Sequence, residues 1–282
     1  MKKQKLAVIF AALLTMAGFS SCLNSEDDGI SEYYGYLEVN SGWGNVTFST
    51  PDGLQFVPNK TITTTASSKL AFVYCQYNDV DLTAETKKLP VTLLSDPVYL
   101  KKLDNAGSTL PDVTSTVSLY SLGENGGGVW GYNKYLVLTP AYFLKKGTTN
   151  ENLSTELVNH HLNVYYVPEE DNVTTKTLKL YLRYQLTGID DSSTEEGAET
   201  SEAWANDYKV KYSDAVYVSL SSLLAQYENA HGEKPEKLEV DYEYNEVDYE
   251  YNNNSYTVPT KDTNKKRTKT VVYNLYKETA AN

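Results

Sequence analysis

The chain has 282 residues, 40% hydrophobic and 22% charged, with a formal net charge of −12. That length fills one large or two small cores, and the composition excludes an intrinsically disordered chain. The acidic balance argues against a nucleic-acid partner, because phosphate binding runs on clustered Lys and Arg.

The first residues read as an export signal. Lys2, Lys3 and Lys5 precede an apolar run from Leu6 to Leu14, and Ser20, Ser21 and Cys22 follow. The run is too short for a spanning helix, and the layout is that of a cleaved signal over 1–21. A cysteine directly after small residues predicts lipidation of Cys22 and a membrane partner through that anchor. Residues 22–33 then read as a lipidated flexible tether. With Cys22 acylated, Cys75 is the remaining thiol, so no intrachain disulfide is expected. Ser25, Glu26, Asp27 and Asp28 resemble the acidic export signal of surface lipoproteins in Bacteroidota. The resemblance implies the outer membrane, facing the extracellular side.

Short strands with turn chemistry follow. Tyr34 to Val39 alternates, Val46 to Phe48 and Leu54 to Val57 flank the turn signal Pro51-Asp52-Gly53, and Lys69 to Tyr77 is apolar on both faces. With a pair over 90–100, interrupted at Pro97, the segment 34–108 holds enough strands for a small barrel. A looser stretch over 103–128 places a domain boundary near 108. Beyond it, 130–144 and 162–166 are strand-like. In Thr177 to Leu186 the leucines face one way and Lys179, Tyr181, Arg183 and Gln185 the other, which predicts one buried and one wet face. An acidic loop over 189–203 and a strand over 209–219 lead to a helix at 220–231, with Leu220, Leu223, Leu224 and Tyr227 at helical spacing and Gly232 as the stop. A heptad then repeats, VDYEYNE at 240–246 and VDYEYNN at 247–253. Paired as a hairpin, the copies would bring Tyr242, Tyr244, Tyr249 and Tyr251 to one face. A basic loop over 261–269 and a last strand over 270–276 close the chain.

PDGLQFVP at 51–58, KLAFVYCQYN at 69–78, the Trp130-Gly131-Tyr132 stretch, NHHLNVYY at 159–166, TLKLYLRY at 177–184 and DAVYVSLSSL at 214–223, behind a lipidated cysteine, resemble the NigD-like lipoproteins of Bacteroidota. The resemblance covers most of the mature chain and rests on the order of patterns rather than on a chemical motif. It departs at 240–282. It implies an all-β chain, an N-terminal OB-like small barrel followed by a C-terminal β-sandwich over 109–282 with one short helix. It implies no established activity and no catalytic residues.

Chemistry is sparse. His160 and His161 would point to opposite faces of a strand, and His231 sits where a cation meets a helix C-terminus. Cys75 reads as a core residue. The adjacent acids Asp190 and Asp191 lack the pattern of a calcium loop. No metal, cofactor or enzymatic role is expected. The four repeat tyrosines, with Asp241, Glu243, Asp248 and Glu250 beside them, are the candidate ligand platform, because aromatic faces stack on sugar rings and carboxylates accept hydroxyl hydrogen bonds. Trp43 and Trp204 are weaker candidates of that kind. Amphipathic strand packing explains the same tyrosines without a ligand. The expected role is a non-enzymatic binding or accessory module for a glycan or an envelope protein. The alternatives are a carbohydrate-binding accessory of a glycan-uptake system and a fimbrillin-like adhesin or structural subunit. In the last case Arg183, the first arginine, leaves no N-terminal site for an Arg-specific cut.

Overall fold

The computed structural model describes residues 29–42, 45–62, 67–123, 127–189, 203–245, 249–251, 254–256 and 258–276. The chain is all-β, with a closed barrel in its N-terminal part. Strands β1 (Ile30–Gly42), β2 (Asn45–Ser49), β3 (Gln55–Pro58), β4 (Leu70–Asn78) and β5 (Lys88–Leu93) run in the order β1-β2-β3-β5-β4, and β4 pairs back onto β1. A short β6 (Val98–Tyr99) adds to β4. The β3–β5 pairing is parallel and the others antiparallel, which is the OB arrangement.

Closure depends on the length of β1. Ile30 to Glu38 pairs with β4, and Glu38 to Gly42 pairs with β2. Alternation turns Leu37 and Val39 into the barrel and Glu38 and Asn40 out of it. Phe48, Phe56, Val73 and Leu89 fill the interior with Cys75. Gly53, at φ 89°, makes the expected turn between β2 and β3. The tether is shorter than the sequence suggests, because Ile30 to Tyr33 are the first rungs of β1.

The chain leaves the barrel at Leu100, ahead of the boundary expected near 108, since β7 (Lys101–Leu103) already belongs to the next sheet. That sheet has the order β7-β14-β9-β8, with β8 (Gly128–Trp130), β9 (Tyr135–Leu138) and β14 (Val216–Ser219). Opposite it lies a sheet β11-β12-β15-β18, built from β11 (His160–Tyr166), β12 (Thr177–Leu186), β15 (Lys237–Asn245) and β18 (Lys266–Asn274). Strands β10 (Ala141–Lys145) and β13 (Tyr208–Ser213) pair separately. Leu136, Leu138, Val216 and Val218 from one layer meet Leu180, Leu182, Val240 and Tyr242 from the other in one core. Helix α2 (Ser221–His231) buries Leu223 and Tyr227, and Gly232 ends it at φ 75°. It is preceded in the chain by a five-residue helix, α1 (Leu153–Leu157), which the sequence did not suggest.

Two expectations fail on this sheet. The outer face of β12 is covered rather than wet, with Tyr181 and Arg183 only 5% and 7% exposed. Past the last rung of the β12–β15 ladder, Leu182 with Tyr242, the segment around 117–119 joins both strands. Val117 N–H donates to the Tyr184 carbonyl and Leu119 N–H to the Glu243 carbonyl, each at 2.8 Å. On the outer face the Lys179 ammonium and the Arg183 guanidinium lie 5.0 and 5.1 Å from the centroid of the Tyr181 ring. Second, part of the supposed basic loop is strand, because β18 starts at Lys266. That lysine is 6% exposed and lies 3.4 Å from Glu243.

Candidate functional site

The middle sheet is buried on both faces. Its second face carries Tyr135, Val137 and Tyr217, which pack with Leu70, Leu100 and Ala215, and with the partly buried Tyr36, Phe72 and Trp130. Strand alternation produces this, since Leu136 and Val137 on β9 face opposite sides. The seam between barrel and sandwich is therefore a third core with directional bonds. Lys69 N–H donates to the Tyr217 hydroxyl at 3.0 Å, and Trp130 Nε1 donates to the Tyr36 carbonyl at 3.0 Å. Lys134 Nζ reaches both carboxylate oxygens of Glu38 at 2.6 Å, and the Tyr135 hydroxyl donates to the same carboxylate at 3.2 Å. Burial, then the adjacent Glu38 charge, holds the Tyr135 phenol well above its usual range. Burial also pushes Tyr36 up to about 12.

Beside the seam, the outward face of β1, β2, β3 and β5 lines an open cleft of about 570 Å³. Glu38, Asn40, Thr47, Gln55, Lys69 and Lys88 contribute to it. Asn40 donates to Ser49 at 2.7 Å, and Gln55 donates to Thr47 Oγ1 at 2.8 Å. The cleft therefore offers amides and hydroxyls already held in place, with one carboxylate anchored from the sandwich. In OB barrels this strand face is where oligonucleotides and oligosaccharides lie. The chain's charge favours a ligand recognised by hydrogen bonds over one recognised by phosphates.

The first copy of the repeat does not present an exposed tyrosine face. Tyr242 is 2% exposed, and Tyr244, two residues on and so on the same face, packs half-buried against the same sandwich core. The acids between them face the other side. Asp241 bonds Lys179 at 3.0 Å and takes a hydrogen bond from Thr270, while Glu243 accepts from Thr116 at 2.5 Å. The two copies do not pair with each other: β15 pairs with β18, and β16 (Tyr249–Tyr251) pairs with β17 (Asn254–Tyr256). The side chains of Tyr249 and Tyr251 lie outside the described residues, as do Cys22, Ser25, Glu26, Asp27, Asp28, Trp43, Asp190 and Asp191. Trp204 is 7% exposed and stacks edge-on with Tyr208, so it is core rather than platform.

His160 is buried, with Nδ1 2.6 Å from the Tyr184 hydroxyl and Nε2 3.2 Å from Glu156, while His161 points outward. His231 bonds Asp171 at 3.1 Å. Cys75 is fully buried, and burial pushes its thiol up to about 12, far from a reactive thiolate. Among the described residues no group of three His, Cys, Asp or Glu could hold a metal ion.

No family model matches the chain, and no curated protein matches it. Among solved structures it resembles a protein of Bacteroides fragilis described as a candidate lipoprotein, with TM-score 0.65 and 22% identity over 88% of this chain and 100% of that one. Looser likenesses are to a protein of unknown function from Bacteroides vulgatus (TM-score 0.47, 12% identity, 88% and 92% coverage) and a NigD-like immunity protein from Bacteroides caccae (0.40, 12%, 80% and 90%). The likeness to the Bacteroides fragilis protein shows that the fold is shared.

Proposed function

We propose that this chain is a NigD-like lipoprotein of the outer membrane, anchored through Cys22 and turned outward, that binds an envelope glycan or an envelope protein without transforming it. The observation that carries this reading is how the N-terminal sequence joins the fold. Only residues 23–29 separate Cys22 from the first residue of β1. At most about 3.5 Å per residue, that tether reaches roughly 25 Å. An anchored Cys22 therefore keeps the Ile30 end of the barrel close to the lipid. Glu38, where the sandwich attaches, is eight rungs along β1, roughly 27 Å away at about 3.4 Å per residue. The cleft and the seam then lie at the end of β1 furthest from the anchor. Recognition rather than catalysis is favoured because the cleft's amides, hydroxyls and carboxylate are engaged with one another or with Lys134. The resemblance in motif order supports the family reading, as does the architecture it implies.

The test is lipid labelling in a Bacteroidota host with an alkyne fatty acid, followed by protease shaving of intact cells. The wild type is expected to take label, stay with the outer membrane and be cleaved from outside. Cys22→Ser is expected to lose label and leave the membrane fraction. Replacing Glu26, Asp27 and Asp28 with Ala should keep the label but protect the protein from external protease. An unlabelled wild type, or label that survives Cys22→Ser, would overturn the anchor.

A further inference from the structure

Among the described residues three non-glycine residues hold a left-handed backbone: Tyr132 (φ 52°), Asn133 (φ 69°) and Lys176 (φ 51°). All three line one groove of about 800 Å³ between the β8–β9 turn, helix α2, the loop after it and the end of β18's chain. Bulky residues avoid this conformation, and where it persists the surroundings hold it, most often at ligand sites. Of the groove's lining residues, the glycine that adopts it freely is the neighbouring Gly131.

The strain has a visible product. Tyr132 is 63% exposed and Tyr276 is 54% exposed, and their rings meet edge-to-face with centroids 5.8 Å apart. Both are fixed. Asn133 clamps the Tyr276 backbone through Nδ2 to its carbonyl at 2.8 Å and through Oδ1 to its N–H at 2.7 Å. The Tyr132 hydroxyl donates to Asp52 on the β2–β3 turn of the barrel. A bonded Tyr132 side chain and a clamped Tyr276 backbone leave less conformational entropy to lose on binding.

The rest of the groove narrows the ligand class. Leu224, Ala225, Pro235 and Leu275 supply an apolar floor. Lys134, Lys176 and Lys234 stand beside Glu228, Glu233 and Glu236, so the rim is balanced in a protein of net charge −12. Lys176 lies between Glu233 at 3.1 Å and Glu236 at 3.7 Å. A balanced rim has no surplus of ammonium groups to offset the repulsion of an anionic ligand by a protein of net charge −12, and it rewards hydroxyls that donate to carboxylates and accept from ammonium groups. The volume lies within the usual range of small-ligand sites, about 300–1,000 Å³.

We propose that this groove binds a neutral oligosaccharide, with the apolar face of a pyranose ring stacked on the Tyr132–Tyr276 pair. It goes beyond the proposed binding role by adding a site separate from the barrel cleft, and rests on that role only for the ligand's relevance at the envelope; the groove itself does not depend on the lipid. The experiment is calorimetric titration of the full chain in detergent with maltohexaose, cellohexaose and mannohexaose, and with hexagalacturonate as the charged counterpart. At least one neutral hexasaccharide is expected to bind, with hexagalacturonate at least tenfold weaker. Tyr132→Gly, which accepts the left-handed backbone without strain, is expected to weaken binding at least tenfold while the melting temperature stays level or rises. Tyr276→Ala gives a second reading of the same pair, with the same loss expected. Failure of all three neutral probes at millimolar concentration, a preference for hexagalacturonate, or full affinity in a folded Tyr132→Gly variant would each overturn the proposal. Loss of lipid label on Cys22 would leave it standing, so the two readings fail separately.

Discussion

The barrel and the sandwich bury their strands by different means. The barrel encloses an almost wholly aliphatic and aromatic interior, Leu37, Phe48, Phe56, Val73 and Leu89 among it, with no buried ion pair among the described residues. The sandwich has such a core too, but it also buries part of the outer face of its β11-β12-β15-β18 sheet, along β12 and β15, while β18 stays open there with Val272 53% exposed. There Arg183, Asp241, Glu243 and Lys266 are each 5–7% exposed. Lys266 Nζ donates to the Thr116 carbonyl at 2.9 Å and to Thr116 Oγ1 at 2.8 Å, and sits 3.4 Å from Glu243, while Arg183 Nε lies 3.8 Å from Glu243. A barrel closes by covering one face of one sheet. A sheet covered on both sides must bury whatever its second face carries, and charges tolerate that only as a satisfied network.

The largest expected effect breaks that network. Glu243→Ala leaves the Lys266 ammonium and the Arg183 guanidinium buried without their carboxylate, which costs about 3–5 kcal/mol. Urea denaturation should find it at least as damaging as Leu37→Ala in the barrel, a cavity costing about 2–5 kcal/mol. The distinguishing variant is the double replacement Glu243→Leu with Lys266→Met. It should recover most of the loss, since an apolar pair of similar volume is often neutral or stabilising. A cost below about 1 kcal/mol for Glu243→Ala, the range of an exposed pair, would mean that water enters this face and that the contrast with the barrel is wrong.

A smaller effect tests whether the two units share one cooperative structure. Tyr217→Phe removes the acceptor of the Lys69 N–H and little else, because the ring still packs against Tyr135 with centroids 5.3 Å apart in the parent. The expected cost is about 1 kcal/mol, that of one net hydrogen bond. Its signature is local, faster hydrogen exchange at Lys69 with the barrel interior unchanged. Equal acceleration through β4 and β5 would show that the seam supports the barrel instead of only joining it.

The same contrast decides what could be read in the sequence. The barrel strands were legible because alternation or a two-sided apolar run marks them: Leu37 and Val39 against Glu38 and Asn40, and 69–77 throughout. The leucines of β12 were legible for the same reason. Its polar partners were not, because Lys179, Tyr181 and Arg183 look the same on a wet face as in a buried network. Only the pairing of 117–119 with Tyr184 and Tyr244, across more than sixty residues, settles which it is. The tyrosine repeat misled similarly. Alternating tyrosine and acid shows two faces, and the structure turns the tyrosines of the first copy inward. The Tyr132–Tyr276 pair is not legible because the bond that joins it, Asn133 to Tyr276, spans 143 residues. The Trp130-Gly131-Tyr132-Asn133 run held one usable signal, a glycine and an asparagine at the tip of a hairpin, where left-handed backbone is favoured.

The last effect is the smallest and is read against pH. Burial lowers the His160 pKa from its ordinary 6.5, outweighing the hydrogen bond and charge of Glu156, which raise it; the neighbouring His161 lowers it further. The rings facing His160 are Tyr142, Tyr184 and Tyr208, and their phenols are pushed up by burial, so they stay neutral and offer no charge to hold an imidazolium. With the folded pKa below the unfolded one, the unfolded chain takes up the proton first as pH falls. Stability is therefore fully present above 6.5 and declines below it until the folded pKa is reached. Asp214, beside Tyr142, runs the other way. Burial raises its carboxyl above 3.8, so its contribution is present at low pH and is lost as pH rises through its folded pKa, opposite in sign to that of His160. Urea midpoints measured from about pH 7 to pH 5, around the ordinary histidine pKa, should thus fall for the wild type. His160→Gln, which can keep a hydrogen bond to Tyr184, should flatten that slope. An unchanged slope in the variant would assign the pH response to surface carboxylates, and the sandwich would then resemble the barrel in burying nothing that titrates near neutrality.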